Sequence, residues 1–125
     1  MMKTNNSSWG NDTRFYRLTP WLNLRKQKIE LNPLCELCES VGIVTVGAFV
    51  DHILNRIVFG EYELELINLQ TLCSTCHSQK TALERQFKTK EAYLKAFRDG
   101  KLKHICTESA KEALLHFIGE KEKAL

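Results

Sequence analysis

The sequence contains no long apolar run. Its longest mostly apolar stretch, Ile43 to Val50, is far too short to span a membrane, so no membrane partner is expected. The opening residues 1–6 also lack the apolar segment of a secretory signal, which predicts a protein of the reducing cytoplasm. Apart from two similar cysteine pairs there is no internal repeat, and there is no low-complexity tract. These absences disfavour the membrane, secreted and repeat classes of protein and favour one small domain.

Four of the five cysteines form two matched pairs, Cys35-x-x-Cys38 and Cys73-x-x-Cys76. Two intervening residues let one tight turn present both sulfurs to a tetrahedral Zn²⁺ ion, and a small domain with a thin core often needs such a metal. Disulfide bonds are the alternative, but they are disfavoured in a reducing compartment. The pairs therefore predict a structural zinc site. Cys106 has no comparable partner and is expected to be a small buried apolar residue.

Charge is distributed unevenly along the chain, whose formal net charge is +3. Residues 1–31 contain six Lys and Arg against two Asp and Glu, and residues 73–103 contain eight against three. Residues 32–72 are acidic, with six Asp and Glu against one basic residue, Arg56. Basic flanks suit a phosphate backbone and an acidic centre suits a divalent cation, although lysines on solvated helix faces would give the same counts. The candidate DNA contacts are Arg25, Lys26, Lys28, Lys80, Arg85 and Lys88.

A first helix is predicted after a polar segment, residues 1–13, which is expected to be a flexible arm. Thr19 followed by Pro20 is typical of a helix start, because a capping hydroxyl precedes a proline in the first turn. The helix should end at about Leu31, ahead of the next proline. Its inward-facing side chains are expected to be those of Leu18, Trp21, Leu22 and Ile29.

The segment after the first cysteine pair predicts strands. Residues 43–46 and 48–50 are β-branched and aromatic, and Gly47 between them indicates a bend or bulge. Asp51 and His52 should then lie at the end of the second strand.

Three helices are predicted after a long connection over residues 54–67. Their expected ranges are 74–87, 89–97 and 107–118. Ser74 should cap the first of them. A Ser109-x-x-Glu112 capping box should open the last, and Gly119 should end it.

Residues 33–81 resemble the HNH endonucleases, or ββα-metal nucleases, and in particular the zinc-clamped type common in phages and prophages. The resemblance is carried by a compound motif whose elements follow one another in the family's order. These elements are Cys-x-x-Cys, Val50-Asp51-His52-Ile53, Asn68-Leu-Gln-Thr-Leu-Cys-x-x-Cys-His77 and Lys80-Thr81. It implies an α+β fold in which a small ββα-metal core with two Cys-x-x-Cys zinc knuckles is flanked by an N-terminal helix and C-terminal helices. We therefore expect residues 14–125 to form a single nuclease domain with a C-terminal helical extension.

The resemblance also implies a role for each polar residue of the motif. His52 corresponds to the general base. Asp51 and His77 correspond to ligands of a catalytic divalent ion, and Asn68 to a brace for the loop that orients the base. The residue types suit this chemistry, because a neutral imidazole takes a proton from water near neutral pH and a carboxylate with one imidazole leaves other metal positions free. Adjacent residues of a strand point to opposite sides, so Asp51 and His52 should not share one ion.

The metal predicted for this second site depends on a departure from the family pattern. Some members carry a further histidine ligand one helical turn after the position of His77, where this chain has Thr81. A site with only Asp51 and His77 as protein ligands is harder and more open. It therefore favours Mg²⁺ or Mn²⁺, with Ni²⁺ or Zn²⁺ as further candidates.

Two functions of different classes follow from the sequence. The first is a metal-dependent endonuclease that nicks or cuts DNA with little sequence preference, since recognition would rest on backbone contacts. The second is a non-catalytic zinc-binding module that binds nucleic acid or a protein. Asp51, His52 and His77 favour the enzyme, because a binding module has no need of them. The phage resemblance further implies a terminase as a partner and, for a phage-encoded protein, the cytoplasm of the host, although no residue demonstrates either.

Overall fold

A computed structural model of the protein describes residues 13–56, 59–102 and 104–124, which form an α+β fold. The helices are α1 (Thr19–Leu31), α2 (Glu36–Ser40), α3 (Ser74–Glu84), α4 (Lys90–Arg98) and α5 (Glu108–Lys123). The strands are β1 (Phe49–His52) and β2 (Leu69–Leu72), and short 3-10 turns cover Thr13–Arg17, Gly60–Tyr62 and Leu66–Asn68. The expected arm, residues 1–13, lies outside the described residues except for its last member. The predicted fold class is confirmed.

Helix α1 has the predicted range. Pro20 lies in its first turn, and the helix ends where the N–H of Asn32 donates to the carbonyl of Lys28 at 2.8 Å. The predicted cap at Thr19 is wrong, because the N-cap residue is Leu18 and no side chain caps the helix. A proline at the start needs no N–H partner, which lessens the need for a cap.

Only two of the four side chains of α1 that were predicted to face inward do so. Trp21 is buried and packs with Phe15 and Leu69, and Ile29 is half-buried. The side chains of Leu18 and Leu22, however, are 53% and 48% exposed, so the prediction is wrong for both. The helix contacts the hairpin through a narrow strip centred on Trp21, and its remaining apolar side chains stay at the surface.

The two strands pair as an antiparallel hairpin in which Asp51 lies opposite Gln70 and His52 opposite Leu69. The second predicted strand, residues 48–50, corresponds to β1 but begins and ends slightly before it. No strand is predicted from the sequence over residues 69–72, but all four form β2 and are buried. Because β2 contacts α1 and α2, its Gln and Thr side chains are inside and the usual strand alternation is absent from the sequence.

The predicted strand over residues 43–46 is wrong. This segment wraps the first cysteine pair: the N–H of Ile43 donates to the carbonyl of Cys38 at 3.0 Å, and the N–H of Cys35 donates to that of Thr45 at 2.7 Å. Val46 makes one isolated bridge to Leu34. The backbone polar groups of the segment serve the knuckle, so its β-branched composition does not produce a strand.

Gly47, the residue at which the sequence indicates a bend or bulge, is required for steric reasons. Its N–H donates to the carbonyl of Pro33 at 2.9 Å, and the next N–H, that of Ala48, donates to the carbonyl of Leu72 in β2 at 2.9 Å. A Cβ atom added here would collide with Cγ2 of Thr71 and would lie 3.1 Å from the oxygen of Pro33. Only glycine permits so close a crossing.

The N-cap residue of helix α3 is Cys73, one position before the predicted cap at Ser74. The helix ends at Glu84 instead of the predicted Phe87. Helices α4 and α5 are capped by Thr89 and Thr107, whose side chains accept hydrogen bonds from the backbone N–H three residues on.

The predicted end of α5 is wrong. Gly119 lies inside the helix, which continues to Lys123. The residues after this glycine are good helix formers, and one internal glycine costs only about 1 kcal/mol. The Ser109 box does not form the start either, because the cap is Thr107.

The largest apolar core lies away from the hairpin face. It joins α4 and α5 to the residues after β1, and its buried members include Ile53, Phe59, Tyr93, Phe97 and Leu114. Two smaller clusters lie under α1 and around the cysteines. None of the described helices is both long and apolar enough to cross a membrane.

Candidate metal centres

The four paired cysteines converge on one point. Their sulfur atoms all lie within 4.8 Å of one another, and Sγ of Cys38 lies 3.8 Å from that of Cys73 and from that of Cys76. Sulfurs at the corners of a tetrahedral zinc site are also about 3.8 Å apart, because each Zn–S bond is about 2.3 Å long. A disulfide would need about 2.05 Å. The cluster therefore fits the predicted zinc knuckles.

Two helix starts present these thiols. Cys35 is the N-cap residue of α2 and Cys73 that of α3, so each pair spans a first helical turn. A hydrogen bond from the backbone N–H of Cys76 lowers the pKa of the Cys73 thiol to about 7. Burial and the neighbouring sulfurs raise the pKa of Cys76. Several thiolates can share so small a volume only around a cation, and zinc is the ion that such a set prefers.

The fifth cysteine, Cys106, packs against the largest core. Burial raises the pKa of its thiol to about 12, so it stays protonated and unreactive. It behaves as the small apolar residue that the sequence predicts, although its side chain is only partly buried.

Strand β1 and the first turn of α3 bring Asp51 and His77 together. Nε2 of His77 lies 3.7 Å from Oδ1 of Asp51. Two donors bound to one Mg²⁺ ion lie roughly 3 to 4 Å apart, because each bond is about 2.1 Å long. The His77 ring also stacks on Phe49, with centroids 4.2 Å apart and planes inclined by 14°. The pair fits a divalent cation with positions left over for water and phosphate.

A buried lysine holds the other carboxylate oxygen of Asp51. Nζ of Lys80 lies 3.0 Å from Oδ2 of Asp51 and 2.7 Å from Oε2 of Glu84. Nε2 of Gln70 donates to the same Oδ2 at 3.3 Å. With Oδ2 engaged in this way, Oδ1 is the oxygen that faces His77.

The buried network extends beyond the metal ligands. Lys80 also donates to the backbone carbonyl of His52 at 2.8 Å, and the hydroxyl oxygen of Tyr93 lies 3.2 Å from Oε2 of Glu84. Burial alone would lower the pKa of Lys80, but Asp51 and Glu84 outweigh it and raise that pKa. The lysine is therefore a fixed positive charge behind the candidate metal site.

His52 contacts a different part of the molecule from Asp51, as strand alternation predicts. Its side chain is buried, and Nε2 bonds the carbonyl oxygen of Glu63 at 3.0 Å. Because a carbonyl can only accept, the neutral imidazole carries its proton on Nε2 and its lone pair on Nδ1. Burial lowers the pKa of His52, which favours this neutral form.

Asn68 ties together the loop that follows β1. Its Oδ1 accepts from the N–H of Leu54 at 2.8 Å, and its Nδ2 donates to the carbonyls of Leu54 and Tyr62 at 3.0 and 3.1 Å. Its own carbonyl accepts from the N–H of Ile53 at 2.8 Å. The side chain is fully buried, so this bracing does not depend on solvent.

A cleft of about 470 Å³ opens between α1, β1 and α3. Asp51, His52 and His77 all line it, so the three motif residues that the sequence singles out for chemistry face one space. Its other lining residues are Tyr16, Trp21, Leu22, Arg25, Phe49 and Val50.

Comparisons with known proteins agree with this geometry. The model of the HNH endonuclease family matches residues 35–83. The chain is also similar to the HNH endonuclease of the deep-sea thermophilic bacteriophage GVE2, whose crystal structure was obtained with manganese ion. The two share 34% sequence identity with a TM-score of 0.57, over 58% of this chain and 80% of that chain. The chain belongs to the HNH endonuclease family. No curated protein sequence matches it.

Membership of the HNH endonucleases makes the protein a metal-dependent nuclease, that is, a phosphodiester hydrolase. The cysteine cluster adds the zinc-clamped feature predicted from the sequence.

The basic residues proposed as DNA contacts fall into two groups in this HNH endonuclease. Arg25, Lys26, Arg85 and Lys88 are exposed. Lys28 is buried and lies 3.0 Å from Oε2 of Glu36, and the side chain of Lys80 is 1% exposed. A buried ammonium paired with a carboxylate cannot reach a phosphate backbone, which corrects the prediction for Lys28 and Lys80.

Three residues that support the site, Glu84, Gln70 and Trp21, are not among the site residues predicted from the sequence. Glu84 follows Lys80 by four positions, the spacing of an ion pair on one helix face, and this signal could have revealed it. Gln70 reaches the site because the register of β2 places it opposite Asp51, and Trp21 reaches it because α1 packs on the hairpin. No local spacing indicates either of them.

Proposed function

We propose that this HNH endonuclease hydrolyses phosphodiester bonds in DNA, by nicking or double-strand cutting, with low sequence specificity. In the proposal His52 is the general base, and Asp51 and His77 hold a divalent cation. One observation carries it: Oδ1 of Asp51 lies 3.7 Å from Nε2 of His77, and these two residues share a cleft with His52.

His52 is suited to removing a proton from an attacking water. The hydrogen bond from Nε2 to Glu63 at 3.0 Å leaves Nδ1 as the proton acceptor. As the water oxygen bonds to phosphorus, its proton passes to Nδ1 and the opposite P–O bond breaks, after which the leaving oxygen takes a proton from solvent. Asn68 serves this step indirectly, because it braces the loop whose carbonyl at Glu63 holds the imidazole.

The divalent cation is proposed to be Mg²⁺ or Mn²⁺, with Ni²⁺ or Zn²⁺ as further candidates. One carboxylate and one imidazole form a hard, open ligand set, and the related phage enzyme was crystallised with manganese ion. When bound, such an ion supplies a Lewis acid for the phosphate and stabilises the charge on the leaving oxygen. Lys80 and Gln70 keep Asp51 in place for this purpose, through their bonds to Oδ2.

The cysteine cluster is proposed to hold a separate, structural Zn²⁺ ion. Four thiolates complete a tetrahedron and leave no position for substrate. Its contribution is to fix α2 and the start of α3, and therefore the position of His77.

DNA is the proposed substrate, held through its backbone. Arg25 lines the cleft and Lys26 is exposed on the same helix, while Arg85 and Lys88 are exposed just beyond α3. Such contacts give affinity without sequence preference. The terminase partner that phage relatives imply has no support among the described residues.

The alternative of a non-catalytic zinc module is disfavoured. It would leave the Asp51–His77 pair and the buried His52 without a role, and it disagrees with membership of a nuclease family.

The deciding experiment is plasmid cleavage by the purified protein, with Mg²⁺, Mn²⁺, Ni²⁺ or Zn²⁺ added separately. The wild type should nick or linearise the plasmid, and His52→Ala should slow cleavage by about 10²- to 10⁴-fold, the usual effect of losing a general base. His116→Ala is the matched control, because this histidine is exposed on α5 and does not line the cleft. Cleavage by His52→Ala at the wild-type rate would overturn the mechanism.

A further inference from the structure

The imidazole of His52 lies against an indole from outside the family motif. The rings of His52 and Trp21 stack with centroids 5.0 Å apart and planes inclined by 26°. Trp21 belongs to α1, whereas the family model begins at residue 35. The surroundings of the proposed base are thus completed by a segment that the motif does not contain.

Trp21 is itself held firmly. It is buried, its ring centroid lies 5.4 Å from that of Phe15, and it meets Tyr16 edge-on at 5.6 Å. We call these three residues, Phe15, Tyr16 and Trp21, the aromatic wall. A side chain in contact with two other rings is held in one orientation, so Trp21 presents the fixed flat face of its indole to His52.

A hydrogen bond and a stacked ring fix different degrees of freedom of the imidazole. The bond from Nε2 to the carbonyl of Glu63 fixes the position of one ring atom. The imidazole can still swing about that atom unless something fixes the plane of the ring. The Trp21 surface does so, and the direction of the opposite nitrogen, Nδ1, follows from that plane.

The wall is also joined to the residue that accepts this hydrogen bond. The guanidinium of Arg56 lies 4.1 Å from the ring centroid of Phe15, and its Nε lies 3.2 Å from Oε2 of Glu63. The wall, Arg56 and Glu63 therefore form one continuous set of contacts beside the imidazole.

We propose that Trp21 is a positioning residue for catalysis: its indole fixes the plane of the His52 imidazole and so aims Nδ1 at the attacking water. The inference rests on the proposed role of His52 as general base. It adds that the HNH motif of this chain is catalytically incomplete without α1.

The first test compares Trp21→Ala and Trp21→Phe in single-turnover plasmid cleavage. A misaimed base should lower the rate at saturating DNA by about 10²-fold, since such an error in position has this effect on a catalytic group. Phenylalanine restores a flat surface and should recover most of the rate. The DNA concentration at half-maximal rate should change little. A changed half-maximal concentration with an unchanged saturating rate would overturn the inference, because Trp21 would then serve DNA binding through the cleft.

A double-mutant comparison separates positioning from general destabilisation. Without the imidazole there is nothing left for Trp21 to aim, so adding Trp21→Ala to His52→Ala should cause no further loss of rate. Phe97→Leu is the control for a truncated buried aromatic ring, because Phe97 lies in the largest core away from the cleft. It should lower the unfolding temperature and leave the saturating rate unchanged. A further loss in the double variant would overturn the inference.

A spectroscopic measurement tests the contact without cleavage. In the zinc-loaded protein, the ring protons of His52 should lie upfield because of the stacked indole, and Trp21→Ala should shift them downfield in a ¹H–¹³C spectrum. Unmoved resonances would overturn the stacking. The outcomes also separate the two proposals: if His52→Ala cleaves normally the proposed function fails, whereas an inactive His52→Ala beside a fully active Trp21→Ala defeats only the inference.

Discussion

Nζ of Lys80 lies 3.0 Å from Oδ2 of Asp51, and only 1% of the lysine side chain is exposed. The same ammonium lies 2.7 Å from Glu84, so one buried cation serves two carboxylates. Burial of this kind is favourable only when each charge has its partner. The lysine therefore belongs to the support of the metal site, behind Asp51, and not to a DNA-binding surface.

Lys80→Met should accordingly be strongly destabilising. The change leaves the partly buried carboxylates of Asp51 and Glu84 without their cation, and we expect the free energy of unfolding to fall by about 3–5 kcal/mol. Urea denaturation measures it. Lys88→Met removes an exposed lysine just beyond the same helix and should change the free energy by no more than about 0.5 kcal/mol. Equal stability of the two variants would mean that the network contributes nothing.

The cysteine cluster makes a prediction about metal content. The wild type should contain one tightly bound zinc per chain, and Cys73→Ala should lose it and unfold or aggregate, because a structural zinc contributes of order 10 kcal/mol to folding. Elemental analysis and circular dichroism measure the two effects. Cys106→Ala is the control, since Cys106 is not in the cluster and should leave zinc binding intact. Folded wild type without zinc would contradict the assignment.

The cysteine, Asp-His and helix-borne histidine elements could be predicted from the sequence because their chemistry depends on short spacings. Two residues between cysteines and adjacency of Asp51 and His52 constrain geometry wherever the hairpin lies. The supporting residues depend on packing instead. Trp21 contacts His52 although the two are 31 positions apart in the sequence, and Gln70 contacts Asp51 only because β2 pairs with β1. No short sequence pattern therefore indicates either residue.

The errors in secondary structure have a common physical origin. Residues 43–46 have strand composition, but their backbone groups serve the cysteine knuckle. Residues 69–72 lack strand alternation because both faces of β2 are covered. Tertiary contacts override local propensity in both segments.

Gly47 offers a test of the close crossing over β2. Gly47→Ala adds a methyl group that must collide with Thr71, and overpacking of this kind should lower the free energy of unfolding by about 1–3 kcal/mol. Gly60→Ala is the matched control, because a Cβ atom at Gly60 meets no atom within 4 Å. Thermal unfolding of both variants measures the difference. An unaffected Gly47→Ala protein would show that the loop can move away from Thr71.

Binding to duplex DNA should depend steeply on salt. Each exposed cation that neutralises a phosphate releases counterions, so Arg25→Gln and Lys26→Gln should each reduce the slope of log affinity against log salt by about one. Fluorescence anisotropy with His52→Ala, which should bind without cutting, gives the slopes. Lys123→Gln, at the distant end of α5, should leave the slope unchanged. Affinity that is independent of salt would argue against backbone recognition.

The two metal sites should respond separately to mutation. Asp51→Asn and His77→Ala each remove a proposed ligand of the catalytic ion, so both should weaken Mn²⁺ binding by calorimetry while elemental analysis still finds zinc in the cysteine cluster. His52→Ala removes the proposed base and no ligand, so it should bind Mn²⁺ as the wild type does and yet cleave about 10²- to 10⁴-fold more slowly. His77 adjoins Cys76 and stacks on Phe49, so its loss should also soften the fold, which makes Asp51→Asn the cleaner probe. His116→Ala should match the wild type in every measurement. If Asp51→Asn retained full Mn²⁺ affinity, the ion would have to be held elsewhere, and the 3.7 Å approach of Asp51 to His77 would need another explanation.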